Sequence, residues 1–116
     1  ADGFDAKDLM VYFRAYKPST SNILVYYKVL SANDPSTFES KYWTRMEQTT
    51  DVNIYSNNEN DFQNYTFGTT NSSTAYVSEG TTYNEFKTFA IKLVFASSEN
   101  ENVPEVKDLR VIALDE

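Results

Sequence analysis

The 116-residue chain contains no cysteine and no histidine, and only three glycines and three prolines. Without cysteine there is no disulfide framework, thiol nucleophile or thiolate metal site, and redox chemistry gives no clue to compartment. Without histidine, the commonest general base and transition-metal ligand are missing, so Ser-His-Asp and Cys-His machinery is excluded within the chain. Long apolar runs are missing too: nothing approaches the roughly 20 residues of a spanning helix. The opening Ala1-Asp2-Gly3-Phe4-Asp5 lacks the basic and apolar regions of a signal peptide, and with no initiator Met the chain reads as a processed or excised piece of a larger polypeptide. Positive charge is also scarce. Ten basic against 17 acidic residues leave a net charge of -7, which opposes the counterion release that drives nucleic-acid binding. Neither nucleic acid nor a membrane is an expected partner.

Alternating strands fill the chain instead. Asp8 to Tyr16 sets Leu9, Val11, Phe13 and Ala15 on one face and Met10, Tyr12, Arg14 and Tyr16 on the other, where the arginine marks solvent. After the turn-like Lys17-Pro18-Ser19-Thr20-Ser21-Asn22, Ile23 to Leu30 sets Ile23, Val25, Tyr27 and Val29 opposite Leu24, Tyr26, Lys28 and Leu30. Phe86 to Ala96 turns Phe89, Ile91, Leu93 and Phe95 inward and reads as a central strand. Val106 to Leu114 opposes Leu109, Val111 and Ala113 to Arg110 and Ile112, beyond an acidic loop from Ser97 to Pro104 that reads as solvated.

Weaker strand signals lie at Tyr42 to Glu47, Asp61 to Phe67 and Ser73 to Ser78, each carried by its aromatics. Ser36 to Tyr42 has room for one helical turn capped by Asp34 or Ser36. Asn-, Ser- and Thr-rich loops at 56–61 and 69–73 take the place of glycine turns. About seven or eight short strands without a sizeable helix predict an all-β fold, an antiparallel β-sandwich of jelly-roll-like type. One domain over residues 1–116 is expected, with flexible ends at 1–4 and 115–116. At this length about 65% of the unfolded surface is buried, enough for a single core.

Carboxylates are the remaining candidates for acid-base chemistry. Glu39 and Glu47 flank Trp43 as a sugar-cleaving cleft would have them, but the simpler reading makes Trp43 a core plug and both acids solvated. Asp51, Asn53, Asn57, Glu59 and Asp61 crowd one stretch without the spacing of a calcium loop. No catalytic residue, metal or cofactor is therefore expected. Nine Tyr, eight Phe and one Trp exceed what a small core needs. If the first two strands form a hairpin, Tyr12, Arg14, Tyr16, Tyr26 and Lys28 share one outer patch, suited to a sugar or to a protein partner.

Four segments carry a family resemblance: Asp8-Leu9-Met10-Val11-Tyr12-Phe13-Arg14-Ala15-Tyr16-Lys17-Pro18, Ile23-Leu24-Val25-Tyr26-Tyr27-Lys28-Val29-Leu30, Phe86-Lys87-Thr88-Phe89-Ala90-Ile91-Lys92-Leu93-Val94 and Pro104-Glu105-Val106-Lys107-Asp108-Leu109-Arg110-Val111-Ile112-Ala113-Leu114. In order, and over nearly the whole chain, they resemble a domain of the large virion structural proteins of marine, T-even-like contractile-tailed bacteriophages. The resemblance implies a module of a tail or baseplate-associated protein with no enzymatic activity. It implies location in the virion, assembled in an infected bacterium, and contacts with other virion proteins or with copies of itself in a homo-oligomer. The working surface is expected to be the tyrosine patch or an exposed sheet edge. The competing expectation is a carbohydrate-binding module that attaches to cell-surface glycans.

Overall fold

In a computed structural model, residues 5–19, 21–50, 54–97 and 103–115 are described. The first strand, β1 (Asp8–Tyr16), and the second, β2 (Ser21–Leu30), follow the predicted alternation closely. Leu9, Val11, Phe13 and Ala15 of β1 are buried, as are Ile23, Val25, Tyr27 and Val29 of β2. Burial of each larger apolar side chain is worth about 1.5 to 3 kcal/mol. These two rows, joined by Tyr65, Phe67, Met46 and Phe86, form the core. Phe13 is its aromatic hub, stacked on Phe67 at 5.5 Å and tilted against Tyr65 at 5.9 Å.

Among the described residues, seven further strands complete an all-β, antiparallel, sandwich-like fold: β3 (Thr44–Arg45), β4 (Glu47–Gln48), β5 (Gln63–Gly68), β6 (Tyr76–Ser78), β7 (Thr81–Tyr83), β8 (Thr88–Ser97) and β9 (Glu105–Leu114). One sheet has the order β4-β5-β1-β9, the second β3-β2-β8, and β6-β7 is a separate ribbon. The expected helical turn is a single 3-10 turn at Phe38–Ser40.

The hairpin expected of the first two strands does not form: β1 and β2 lie in different sheets. Both apolar rows are then satisfied by facing each other, whereas hairpin neighbours would still need a separate cover for their shared face. Between them the chain folds over Lys17, which is buried beneath the rings of Tyr55 and Tyr65 at 4.8 and 5.2 Å. The nine strands exceed the expected number for two reasons. The segment expected to be one strand at Tyr42 to Glu47 is split, because Met46 turns into the core and its N–H bonds the Val25 carbonyl at 2.8 Å. Residues 44–45 therefore pair with β2 and residues 47–48 with β5. In addition, β7 follows a two-residue turn at Glu79-Gly80, both with positive φ (52° and 80°), the backbone that matches hairpin twist.

The crossing at Met46 closes one side of the sandwich, and β8 and β9 bound the other side. β8 is thus an edge strand and not the expected central one. Val29, Tyr27, Val25 and Ile23 stand directly opposite Phe89, Ile91, Leu93 and Phe95, so these four β8 side chains extend the inner face. They are only half covered: Phe89 is 39% and Phe95 45% exposed. Leu109, also expected inside, is exposed because β9 bulges against β1. The register slips between Tyr12 and Arg14, and Asp108 takes a φ of 57°.

Phe67→Ala is expected to destabilise by about 3 to 5 kcal/mol, whereas Leu93→Ala at the half-covered edge loses only about 1 to 2. Glu79→Asn, which suits a left-handed turn position, is expected to gain about 0.5 to 1 kcal/mol. Urea denaturation of the three variants against the unmodified protein measures each difference.

Candidate functional site

The outer face of the three-stranded sheet concentrates aromatic and cationic side chains. Tyr26 lies opposite Arg45 on one side and Lys92 on the other, so Arg45, Tyr26 and Lys92 form one row across β3, β2 and β8. Tyr26 alternates with the buried Val25 and Tyr27, which places the row outside. Lys28 is on the same face, one pleat further along β2. Trp43 covers the row from just before β3, with the Lys92 ammonium 4.6 Å and the Lys28 ammonium 5.0 Å from its ring centre. Lys28 also meets the Phe38 ring at 4.7 Å, and Lys92 the Tyr26 ring at 5.3 Å. Trp43 remains 36% exposed. It is a surface residue and not the expected core plug, because Thr44 pairs with inward-facing Tyr27 and strand alternation then turns residue 43 outward.

Beside this face, a cleft of about 580 Å³ runs between β2 and the β6-β7 ribbon, with Ser36, Ser40, Thr44 and Ser78 along its walls and Tyr42, 91% exposed, at its mouth. A latch holds its walls together. The Lys41 ammonium is 2.7 Å from Oδ2 of buried Asp34, and the Tyr76 hydroxyl donates to the same oxygen at 2.7 Å. The Ser36 hydroxyl and amide both donate to Oδ1, while the Ser31 amide donates to the Tyr76 hydroxyl at 2.9 Å. Burial alone pushes the Asp34 carboxyl up, but the Lys41 ammonium and the hydrogen bonds from Ser36 and Tyr76 outweigh it and hold the group well below its ordinary value. Burial, helped by the neighbouring Asp34 carboxylate, pushes the Tyr76 hydroxyl up to about 12.

The five residues of the expected patch are divided between two outer faces. Tyr26 and Lys28 belong to the aromatic-lysine face just described. Tyr12, Arg14 and Tyr16 lie outside β1 on the other sheet, where Arg14 meets Asp108 at 3.2 Å. Sequence reasoning missed Trp43, Lys92 and Arg45 as companions of Tyr26, because the pairing that sets them side by side joins distant strands. Glu39 and Glu47 are exposed, and Glu47 accepts a hydrogen bond from Thr70. Asp51 and Asn53 lie outside the described residues. Asp61 is engaged in its own turn, accepting from the Asn57 amide at 2.9 Å. Among the described residues there is no group of three or more acidic side chains arranged to hold a metal, and no helix is long and apolar enough to cross a membrane.

No family model, curated protein or solved structure matches the chain.

The buried groups set the pH response. Burial pushes Tyr65 as well as Tyr76 up to about 12 from an ordinary 10.0. The folded chain then keeps protons that the unfolded chain releases, so their stabilisation is complete below pH 10 and is lost as pH rises toward 12. Lys17, lowered by burial, acts with the opposite sign and favours folding increasingly as pH approaches 10.5. Burial raises Tyr27 in the same direction, and three tyrosines against one lysine give a net fall above pH 10. Asp34 contributes stability that is present above 3.8 and lost as pH falls below it. In urea titrations across pH, Asp34→Asn is expected to flatten the acid limb and, because the Asp34 carboxylate also holds Tyr76 up, to bring the alkaline fall to lower pH; an unchanged acid limb refutes the role given to the latch.

Proposed function

We propose that this domain is a non-enzymatic structural module of a phage virion, acting through protein-protein contacts in a tail or baseplate. The observation that carries the reading is the half-covered side of the sandwich. Among the described residues β8 and β9 are both ten-residue edge strands, and at the two ends of the inward-facing β8 row Phe89 and Phe95 remain 39% and 45% exposed. Exposed apolar side chains beside unpaired backbone favour a neighbouring chain that supplies both cover and hydrogen bonds. The two edges differ in character. β9 carries four charges and the Asp108 bulge, devices that discourage strand pairing, whereas β8 pairs regularly with β2 over its whole length and carries Lys92 as its single charge. The contact surface is thus the edge of β8 and the apolar mouth beside it. The resemblance to virion structural proteins supplies the setting, and a rigid sandwich that meets copies or neighbours through an edge fits it.

Mass spectrometry and residue-specific cross-linking of purified particles are expected to find the protein and to join Lys87 or Lys92, on and beside β8, to a neighbouring chain. Phe95→Asp is expected to prevent incorporation while leaving the melting temperature of the isolated domain within a few degrees, since that side chain is half exposed already. Absence of the protein from particles, or normal incorporation of Phe95→Asp, refutes the proposal.

A further inference from the structure

We infer that the outer face of the three-stranded sheet is a binding site for an acidic polysaccharide, with Trp43 as the platform for a sugar ring and Lys28, Lys92 and Arg45 as the partners of its carboxylates. The argument starts from charge. In a chain with a net charge of -7, strands β2, β3 and β8 carry three cations and no carboxylate. None of those three cations makes an ion pair among the described residues, although Lys7, Arg14 and Lys41 each do. Solubility does not account for this separation, because scattered acids serve it as well. A positive face on an acidic protein repels basic partners where it stands and draws anions to that face.

Geometry narrows the anion. The two ammoniums sit over one indole at 4.6 and 5.0 Å, so a ligand that stacks on Trp43 draws these flexible cations off the ring onto its carboxylates and meets apolar and cationic surface together. A pyranose ring has an apolar face of C–H groups that stacks on an aromatic plane, and a carboxylate at its rim accepts charge-assisted hydrogen bonds from lysine or arginine. Adjacent strands lie about 4.8 Å apart, so Arg45 and Lys92, two strands from each other, are spaced by roughly 10 Å. A polymer with one carboxylate per sugar ring meets that spacing with every second ring. Duplex nucleic acid carries a charge about every 1.7 Å, and its affinity grows with the number of phosphates neutralised, which three cations on an acidic chain serve poorly. The sheet is also unlike the apolar mouth at β8 and β9: it presents planar rings and cations, with the buried core on its other side.

Trp43 is the chain's single tryptophan, so its fluorescence reports on this face in the unmodified protein. Titration with an oligogalacturonate is expected to change the emission saturably, while a neutral galactose oligomer of equal length and monomeric galacturonate leave it unchanged over the same range. The double variant Lys28→Gln, Lys92→Gln, checked by circular dichroism for an unaltered melt, is expected to weaken binding about tenfold or more, and added salt is expected to weaken it in the unmodified protein. Calorimetry with Trp43→Ala supplies a second readout and is expected to show no heat of binding. No response to the acidic oligomer overturns the inference. So does an equal response to the neutral oligomer, unchanged affinity in the double variant, or tighter binding of a single-stranded oligonucleotide of equal charge.

Discussion

Leu9, Val11, Phe13 and Ala15 on β1 and Ile23, Val25, Tyr27 and Val29 on β2 can leave water together only if the two strands face each other. That constraint separates consecutive strands into different sheets, and the rest of the architecture follows from it. Each strand then needs hydrogen-bonded neighbours, which β5 and β9 supply to β1 and β3 and β8 supply to β2. On one flank the short passage from Thr44 to Gln48 crosses the gap and seals it with Met46. On the opposite flank the inner face runs out to Phe89 and Phe95, which no comparable seal covers among the described residues, and apolar surface is exposed there.

The same separation distributes charge. Strands whose inner residues must be apolar can carry charge only on the outer face or at their ends. In β2, β3 and β8 the outer positions hold Lys28, Arg45 and Lys92, and much of the acid resides in loops and strand termini, as Glu39, Glu59, Asp61, Glu79 and Glu85 do. An overall negative charge therefore coexists with a positive sheet, and two surfaces of the domain differ in chemistry: hydrophobic at the β8 edge, cationic and aromatic over Trp43.

Alternation in the sequence revealed β1 and β2 with their inner rows correct, and the approximate limits of β8 and β9, because a period of two is a local property. Pairing is not local. Lys17 to Asn22 contains the residues of a tight turn whether the chain returns to the same sheet or crosses to another, so the hairpin and the crossing could not be told apart. Edge and central positions were equally hidden: Phe89 to Phe95 has the apolar density of a strand flanked on both sides, and only the topology shows that one flank is free. The buried Lys17 gave no signal, since a lysine ordinarily marks solvent and its two tyrosine partners are 38 and 48 residues further along the chain. β7 did leave a trace, the Glu79-Gly80 pair between Tyr76-Val77-Ser78 and Thr81-Thr82-Tyr83, which is a hairpin pattern in its own right. Of the candidate surface, Tyr26 and Lys28 were legible from alternation. Trp43 was not, because its side depends on how Thr44 pairs with Tyr27.

The irregularity at Asp108 has a wider consequence. β9 uses ten residues, Glu105 to Leu114, to travel the distance that β1 covers in nine, Asp8 to Tyr16. The additional residue works as a half-step in the strand's phase. Val106 and the pair Val111 and Ala113, which an unbroken pleat would send to opposite sides, all reach the interior, while Lys107 and Arg110 both stay wet. Removing a single residue at this point would leave the composition of β9 nearly intact and invert half of it, trading a valine in oil for a cation.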